Sequence, residues 1–180
     1  AANAIKGAFA ILIMSNDKLI AFRDPYGFRP LCLGRLDHGW VVASETCALD
    51  LVGAHYVRDI KPGEMIVIDD ADKEPTSLMY AQHQPEHRAH CIFEFVYFAR
   101  PDSIMDGESI YLARVNMGRI LARETKDIKA DIVISVPDSG TPAAIGYGLE
   151  KGIPFLEGLT KNKYIGRTFI QPTQKQRLNA

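Results

Sequence analysis

Long apolar runs are missing from this sequence. None approaches the roughly 20 residues that a membrane-spanning helix needs, and the opening residues show no signal-peptide pattern. An excess of charge of one sign is missing too. Lys and Arg total 21 and Asp and Glu 22, for a net charge of -1. No global field therefore draws the chain to nucleic acid or to an anionic membrane, and neither is expected as a partner. Cysteine is scarce: Cys32, Cys47 and Cys91 are widely spaced, odd in number and without a CxxC pair. That excludes a disulfide framework and makes a reducing cytoplasm the expected location. Internal repeats and low-complexity tracts are absent as well. What remains is 180 residues, 47% apolar and 24% charged, enough for the core of one domain or of parts of two. The chain opens on Ala1 and closes on Gln174–Ala180 without completing an element, so both ends are expected to be cut.

The first half reads as β-rich. The apolar run Gly7–Met14 has the length of a buried strand. Ser15-Asn16-Asp17 is hairpin chemistry, and Lys18–Arg23 is the partner strand. Asp24-Pro25-Tyr26-Gly27 is a turn, with proline presetting φ and glycine allowing positive φ. Its flanking arginines are structural, with Arg23 or Arg29 pairing with Asp24. Leu31–Gly34 and Trp40–Ala43 form a second hairpin around Asp37-His38-Gly39. Ser44 can cap a short helix running to Leu51, and Glu64–Ile68 follows the turn Lys61-Pro62-Gly63 as a further strand. Residues 69–90, with Asp69, Asp70, Asp72, His83, Pro85, His87 and His90, read as a polar loop and a domain boundary.

The second half reads as α/β. Cys91–Ala99 is aromatic and β-branched, hence a strand. Ile110, Ala113, Met117, Ile120 and Leu121 fall at helical spacing between about Glu108 and Thr125. Asp131–Val136 is a buried strand, Pro137–Pro142 a loop, and a helix then runs to about Gly152 before the strand Ile153–Leu156. Strand, loop, helix, strand is the βαβ unit of a parallel sheet.

Chemistry concentrates in two places. The loop Val136–Pro142 leaves the carboxyl end of a strand and opens a helix, the edge at which open α/β sheets bind ligands. Helix-start amides favour an anion. Ser139 and Thr141 add hydroxyls, and Gly140 lets the backbone approach. The plain alternative is an ordinary capped turn. From Gly158 onward the chain carries five basic residues and no acid. The stretch Lys161–Ile170 there suits a polyphosphate, with Gly166 as a hinge for closure. Its plain alternative is a solvated basic surface. Cys91 alone is a small hydrophobe. His83, His87 and His90 are polar loop residues rather than zinc ligands. Glu94 is an acid in an apolar strand and needs a partner, Arg100 or Arg114.

Several strings, in order along nearly the whole chain, resemble the amidophosphoribosyltransferase family. Gly7-Ala8-Phe9-Ala10, Arg23–Leu31, Ala43–Asp50 and Lys61–Glu64 resemble its glutaminase domain. Cys91–Glu94, Tyr97–Ser103 and Ala113–Gly118 resemble the start of its phosphoribosyltransferase domain, and Lys161–Ile170 its flexible loop. The resemblance implies the C-terminal part of an Ntn-hydrolase type glutaminase with layered antiparallel sheets over residues 1–88. It implies the first part of a type I phosphoribosyltransferase parallel α/β sheet over residues 89–180.

The reaction implied is transfer of glutamine-derived ammonia to 5-phosphoribosyl 1-pyrophosphate (PRPP), giving phosphoribosylamine, glutamate and pyrophosphate at the first committed step of purine synthesis. By position, Asp138, Ser139, Gly140 and Thr141 would hold the pyrophosphate, and Lys161 and Arg167 would clamp it. Tyr111 and Ile170 would line the ammonia route, and Cys91 would be one ligand of a 4Fe–4S cluster found in some members. Mg2+ would accompany PRPP in the parent enzyme, itself expected to be a homo-oligomer with glutamine and PRPP as substrates. Departures are also implied. Residue 1 is Ala where the family has its nucleophilic Cys. The upstream glutamine-binding segments, the Asp-Asp phosphoribose motif and the other three cluster ligands are not in the sequence. No catalytic residue and no cofactor are therefore expected in the chain alone, nor turnover of glutamine or synthesis of phosphoribosylamine. The alternatives are a non-catalytic module binding phosphoribosyl or phosphate groups, told apart by an Asp-Asp motif in the parent reading frame, and a structural piece.

Overall fold

The computed structural model describes residues 2–81, 88–164, 166 and 168–178. Two compact units result, Ala1–Asn116 and Met117–Ala180, with the division falling inside one helix. The fold is mixed α/β with antiparallel sheets.

In the first unit, β1 (Ala10–Met14), β2 (Leu19–Arg23), β6 (Glu64–Ile68) and β7 (Thr76–Met79) form an antiparallel sheet in the order β1-β2-β6-β7. A second sheet, β4-β3-β5, is built from β3 (Cys32–Leu36), β4 (Gly39–Ala43) and β5 (His55–Asp59). Alternation along the strands decides what each face meets. Leu33 lies opposite Val42, and both join Leu31, Ala21, Ile60 and Ile66 in one core between the sheets. Cys32 and Ala43, one residue out of phase, face the other way. They pack with Leu49 of α1 (Thr46–Leu51) and Ala54. Gly34 makes that approach possible, since a Cβ there would stand 2.8 Å from Leu49 Cδ2.

The expected hairpins form. The Ser15 amide donates to the Lys18 carbonyl at 2.8 Å, and Gly27 N–H closes the Asp24 turn at 3.1 Å. Several expectations need correction. β1 is an edge strand rather than a buried one, with Leu12, Ile13 and Met14 exposed. β5 and β7 lie in stretches of mixed or polar sequence. Both are edge strands with exposed side chains, so neither carries the alternating apolar pattern of a half-buried strand. The α1 N-cap is Glu45, not Ser44.

Residues 91–99 form helical turns, not a strand, with a π-helical turn at Glu94–Phe98. The Ala99 amide donates to the Glu94 carbonyl at 3.1 Å, and these two residues are the buried ones. Tyr97 and Phe98 between them are exposed, while Phe95 packs against Ala99, Met105 and Ile110, so the β-prone composition does not make a ladder. The short hairpin β8 (Ile104–Met105) and β9 (Glu108–Ser109) then leads into α2 (Ile110–Glu124).

Buried charge fixes this unit. Arg23 is 2% exposed, and it does not pair with Asp24. Its guanidinium donates to the carbonyls of Arg29 (2.7 Å), Ile60 (2.9 Å) and Gly27 (3.1 Å), and stands 3.6 Å from Asp106. Asp24, fully buried, accepts the amides of Tyr26, Phe28 and Arg29. Arg29 instead reaches the buried Glu94 at 2.8 Å, a partner that neither Arg100 nor Arg114 supplies. Glu64, 1% exposed, takes both arms of Arg58, the Ser77 hydroxyl and the Lys61 amide.

In the second unit, the C-terminal part of α2 meets α3 (Thr141–Lys151), which ends on Gly152 at φ +69°. A Cβ on Gly118 would collide with the Ala143 carbonyl, so glycine sets the helix spacing. Lys151 donates to the carbonyls of Thr125 and Lys126, and Arg123 pairs with Glu150 at 2.7 Å. The segments expected as a buried strand at 131–136 and a further strand at 153–156 meet in one parallel bridge, Val133 with Phe155. Ile132, Ile134 and Val136 are exposed, because one bridged pair covers neither face. A 3-10 turn (Thr168–Ile170) and a short helix, α4 (Gln174–Leu178), follow. No helix among the described residues is long and apolar enough to cross a membrane.

Two outcomes test this packing. Arg23→Met keeps side-chain bulk but removes every donor, so unfolding by denaturant should show a loss of roughly 3–5 kcal/mol, the scale of stripping a buried charged donor from its partners. Burial alone would raise the Glu64 pKa, but hydrogen bonds from Arg58, Ser77 and Lys61 outweigh it and hold the pKa below its ordinary 4.5. A folded-state pKa below the unfolded one gives stability that is present above about 4.5 and lost as pH falls through the folded value. Glu64→Gln should therefore cost roughly 1.5–3 kcal/mol at pH 7. The gap between variant and wild type should shrink as pH is taken below 4.5.

Candidate functional site

The loop from Val136 to Pro142 is shaped by its own backbone. A Cβ on Gly140 would stand 2.8 Å from the Val136 carbonyl oxygen, so the turn back over the strand end requires glycine before any ligand is considered. Gly140 is also the N-cap of α3, and no side chain caps that helix start. Pro142 occupies the first turn, where its missing N–H costs nothing. α3 thus presents the positive end of an 11-residue helix without a side-chain acceptor of its own.

Five of the residues expected here are brought together. Asp138 is exposed and lies 3.6 Å from Lys161 Nζ. Ser139 and Gly140 are half-buried in the turn. The Thr141 hydroxyl is shared at 3.0 Å with Ser135 Oγ, a buried side chain that sequence reasoning passed over because it looked like part of the strand. Lys161 is 63% exposed, so its ammonium is held by Asp138 and solvent rather than by packing. An anion arriving at the α3 start would meet that ammonium already in place. It would compete with Asp138 for it, replacing one charge-assisted contact with another.

The remaining candidates fall elsewhere. Arg167 lies outside the described residues, as do His83 and His87. Ile170 is 66% exposed in the 3-10 turn. Tyr111 sits in the first turn of α2, in the first unit, and is 40% exposed. His90 is no plain loop residue: it is partly buried and its Nδ1 lies 3.1 Å from Asp106. Cys91 is half-buried, and its amide donates to the Phe28 carbonyl at 3.3 Å. Among the described residues, no three His, Cys, Asp or Glu side chains are arranged to hold a metal ion.

A second polar concavity lies in the first unit. Arg29, Ser44, Glu45, Glu94 and Phe98 line a cavity of about 330 Å³. Burial raises the Glu94 carboxyl, with Arg29 opposing and Glu45 adding to the shift. The nearby thiols are not activated nucleophiles. Burial pushes Cys32 up to about 12 and raises Cys47 as well.

Residues 1–51 match a glutamine amidotransferase domain family. The amidophosphoribosyltransferase of Mycobacterium tuberculosis (strain H37Rv) is 56% identical over 170 residues, covering 94% of this chain and 31% of that protein. That of Archaeoglobus fulgidus is 49% identical over 174 residues, covering 97% and 37%. Among solved structures, glutamine PRPP amidotransferase from B. subtilis, complexed with ADP and GMP, superposes with a TM-score of 0.84 at 48% identity, over 97% of this chain and 37% of that one. A structure described as the allosteric regulatory enzyme of purine biosynthesis gives 0.85 at the same identity, over 97% of this chain and 36% of that one. The matched relatives are nearly three times as long as this chain, and the similarity runs from one end of it to the other: the chain belongs to the amidophosphoribosyltransferase family and spans about a third of its relatives' length.

Proposed function

We propose that this chain is the stretch of an amidophosphoribosyltransferase that joins its two catalytic halves, and that the full-length enzyme carries glutamine-derived ammonia to PRPP. Residues 1–88 belong to the glutaminase, an Ntn-hydrolase domain of layered antiparallel sheets. Residues 89–180 begin the parallel sheet of a type I phosphoribosyltransferase. The observation that carries the reading is the pairing of an uncapped α3 start with Lys161, held 3.6 Å from Asp138 at its mouth.

The chemistry follows from charge. As pyrophosphate leaves C1 of the ribose, negative charge collects on its oxygens. Donors already aimed there are worth more in the transition state than in the ground state. Ser139, Gly140 and Thr141 offer the helix-start amides and hydroxyls to the pyrophosphate. Lys161 supplies a mobile positive charge, and Arg167 a fork that grips two phosphate oxygens. Asp138 is the one acid of its loop and would meet the Mg2+ that accompanies PRPP. Tyr111 and Ile170 line the path by which ammonia reaches the ribose.

A 4Fe–4S cluster takes four thiolates, and Cys91 offers one. Cys32 is buried against Leu49 and Ala54, and the Cys47 thiol is turned to Glu45. These residues do not by themselves fit a cluster. The enzyme acts in the cytoplasm as a homo-oligomer.

The kinetics of a full-length enzyme carrying this segment, with ammonia as nitrogen donor, test the phosphate site. Lys161→Ala and Arg167→Leu should each cost roughly 2–4 kcal/mol of transition-state stabilisation, about 30- to 1000-fold in kcat/KM for PRPP. Glutamine hydrolysis without PRPP should hold near the wild-type rate. Unchanged kcat/KM for PRPP would make the loop a solvated basic surface.

A further inference from the structure

Glu45 stands at the N-cap of α1, yet its carboxylate caps none of the helix's amides. An N-cap side chain ordinarily satisfies an amide of the first turn. Here Oε2 accepts the Arg100 amide and the Ser103 hydroxyl, both at 2.8 Å, and the Cys47 thiol lies 3.7 Å from the same oxygen. The next residue is spent in the same direction, with Thr46 Oγ1 accepting the Ile104 amide at 2.8 Å. Two successive residues at the start of α1 are therefore given over to a segment more than 50 positions away.

That segment in turn holds the start of α2. The Ile110 amide donates to the Ser103 carbonyl at 3.1 Å, and the Tyr111 amide to the Pro101 carbonyl at 3.0 Å. Ser103 is fully buried, and Ala99, Met105 and Ile110 close the apolar side of the turn. Arg114, one turn into α2, anchors the helix to the carbonyls of Phe95 (2.6 Å) and Ala99 (2.7 Å). The α2 start is thus held by its own guanidinium and, from the sheet-bearing part of the unit, by Glu45 together with Thr46 at Ile104 and Asp59 and Arg23 at Asp106. Of these, the Glu45 carboxylate is the one that takes both Arg100 and Ser103. Bonds to a carboxylate are among the strong ones, so the support is stiff.

We infer that Glu45 is a positioning residue for the passage of ammonia: through Arg100–Ser103 it fixes the first turn of α2 and with it the place of Tyr111. The inference rests on the proposed reading of Tyr111 as part of the ammonia route. Glu45 itself touches no substrate. Loosening it should leave each half-reaction working and let ammonia escape between them.

The test compares Glu45→Ala and Glu45→Gln in a full-length enzyme carrying this segment. Phosphoribosylamine formed per glutamine hydrolysed is measured beside ammonia-dependent synthesis, and hydrogen exchange is followed at the Ile110 and Tyr111 amides. Glu45→Ala should lower the yield per glutamine roughly tenfold, with ammonia-dependent synthesis and glutamine hydrolysis retained, and should speed exchange at both amides by about the same factor. In Glu45→Gln an amide oxygen still accepts from Arg100 and Ser103, so both quantities should return close to wild type. A proportional loss of glutamine- and ammonia-dependent synthesis would reduce Glu45 to a stabilising residue and overturn the inference, as would an unchanged yield. If wild type moves no nitrogen from glutamine, the functional reading is what fails. The exchange measurement then still decides whether Glu45 positions α2, and unchanged exchange in Glu45→Ala would overturn that.

Discussion

Much of the first unit hangs on one guanidinium. Arg23 ends β2 and is almost wholly buried, and a buried charge persists only where its donors are used. Three carbonyls from two loops converge on it, and Asp106 completes its surroundings. Asp24, beside it, gathers three amides of the same turn. The turn from Asp24 to Arg29 is thereby fixed from both sides. It in turn places the Tyr26 and Phe28 carbonyls that receive the amides of Ala89 and Cys91, and it aims Arg29 at Glu94. The helical turn after Cys91 is thus an extension of a loop more than 60 residues earlier, and the polar contacts of the sheets run on through it to the start of α2.

The second unit is organised by close backbone approach rather than by buried charge. Gly118 lets α2 and α3 touch at the Ala143 carbonyl, Gly140 folds the loop over Val136, and Lys151 draws together the carbonyls that follow α2. The consequence is an α3 start that is rigidly placed and uncapped. Lys161 comes to it as an exposed side chain paired with Asp138. In the proposed reading, an uncapped helix start beside an exposed cation suits a site that must be ready for a polyphosphate and still close on it.

Much of this could be read from the residues alone, and the failures have physical causes. The hairpin turns, the Gly152 stop and the α2 periodicity are local signals, and they appear where the residues put them. β5 and β7 were hidden because edge strands with exposed faces need no alternating pattern. The 91–99 stretch misled for the opposite reason. Aromatic and β-branched residues suggest a ladder, whereas Glu94 and Ala99, the two that are buried, stand five apart and match a π-helical turn. The Glu94 partner was misjudged because Arg100 and Arg114 are near in sequence and Arg29 is near in space. At the candidate site, the loop and Lys161 were legible from charge and glycine. Ser135 and Glu45 were not, since each acts through a partner that sequence proximity does not disclose.

The central claim is that one protein carrying this segment both frees ammonia from glutamine and delivers it to the ribose of PRPP. The most direct measurement supplies the full-length enzyme with glutamine labelled with nitrogen-15 in the side-chain amide, together with PRPP and unlabelled ammonium in solution. Products are then read by mass spectrometry. The account predicts that phosphoribosylamine carries the label without dilution from the ammonium pool, with one pyrophosphate released for each labelled product. Label found only in free ammonium, with PRPP left intact, would contradict it.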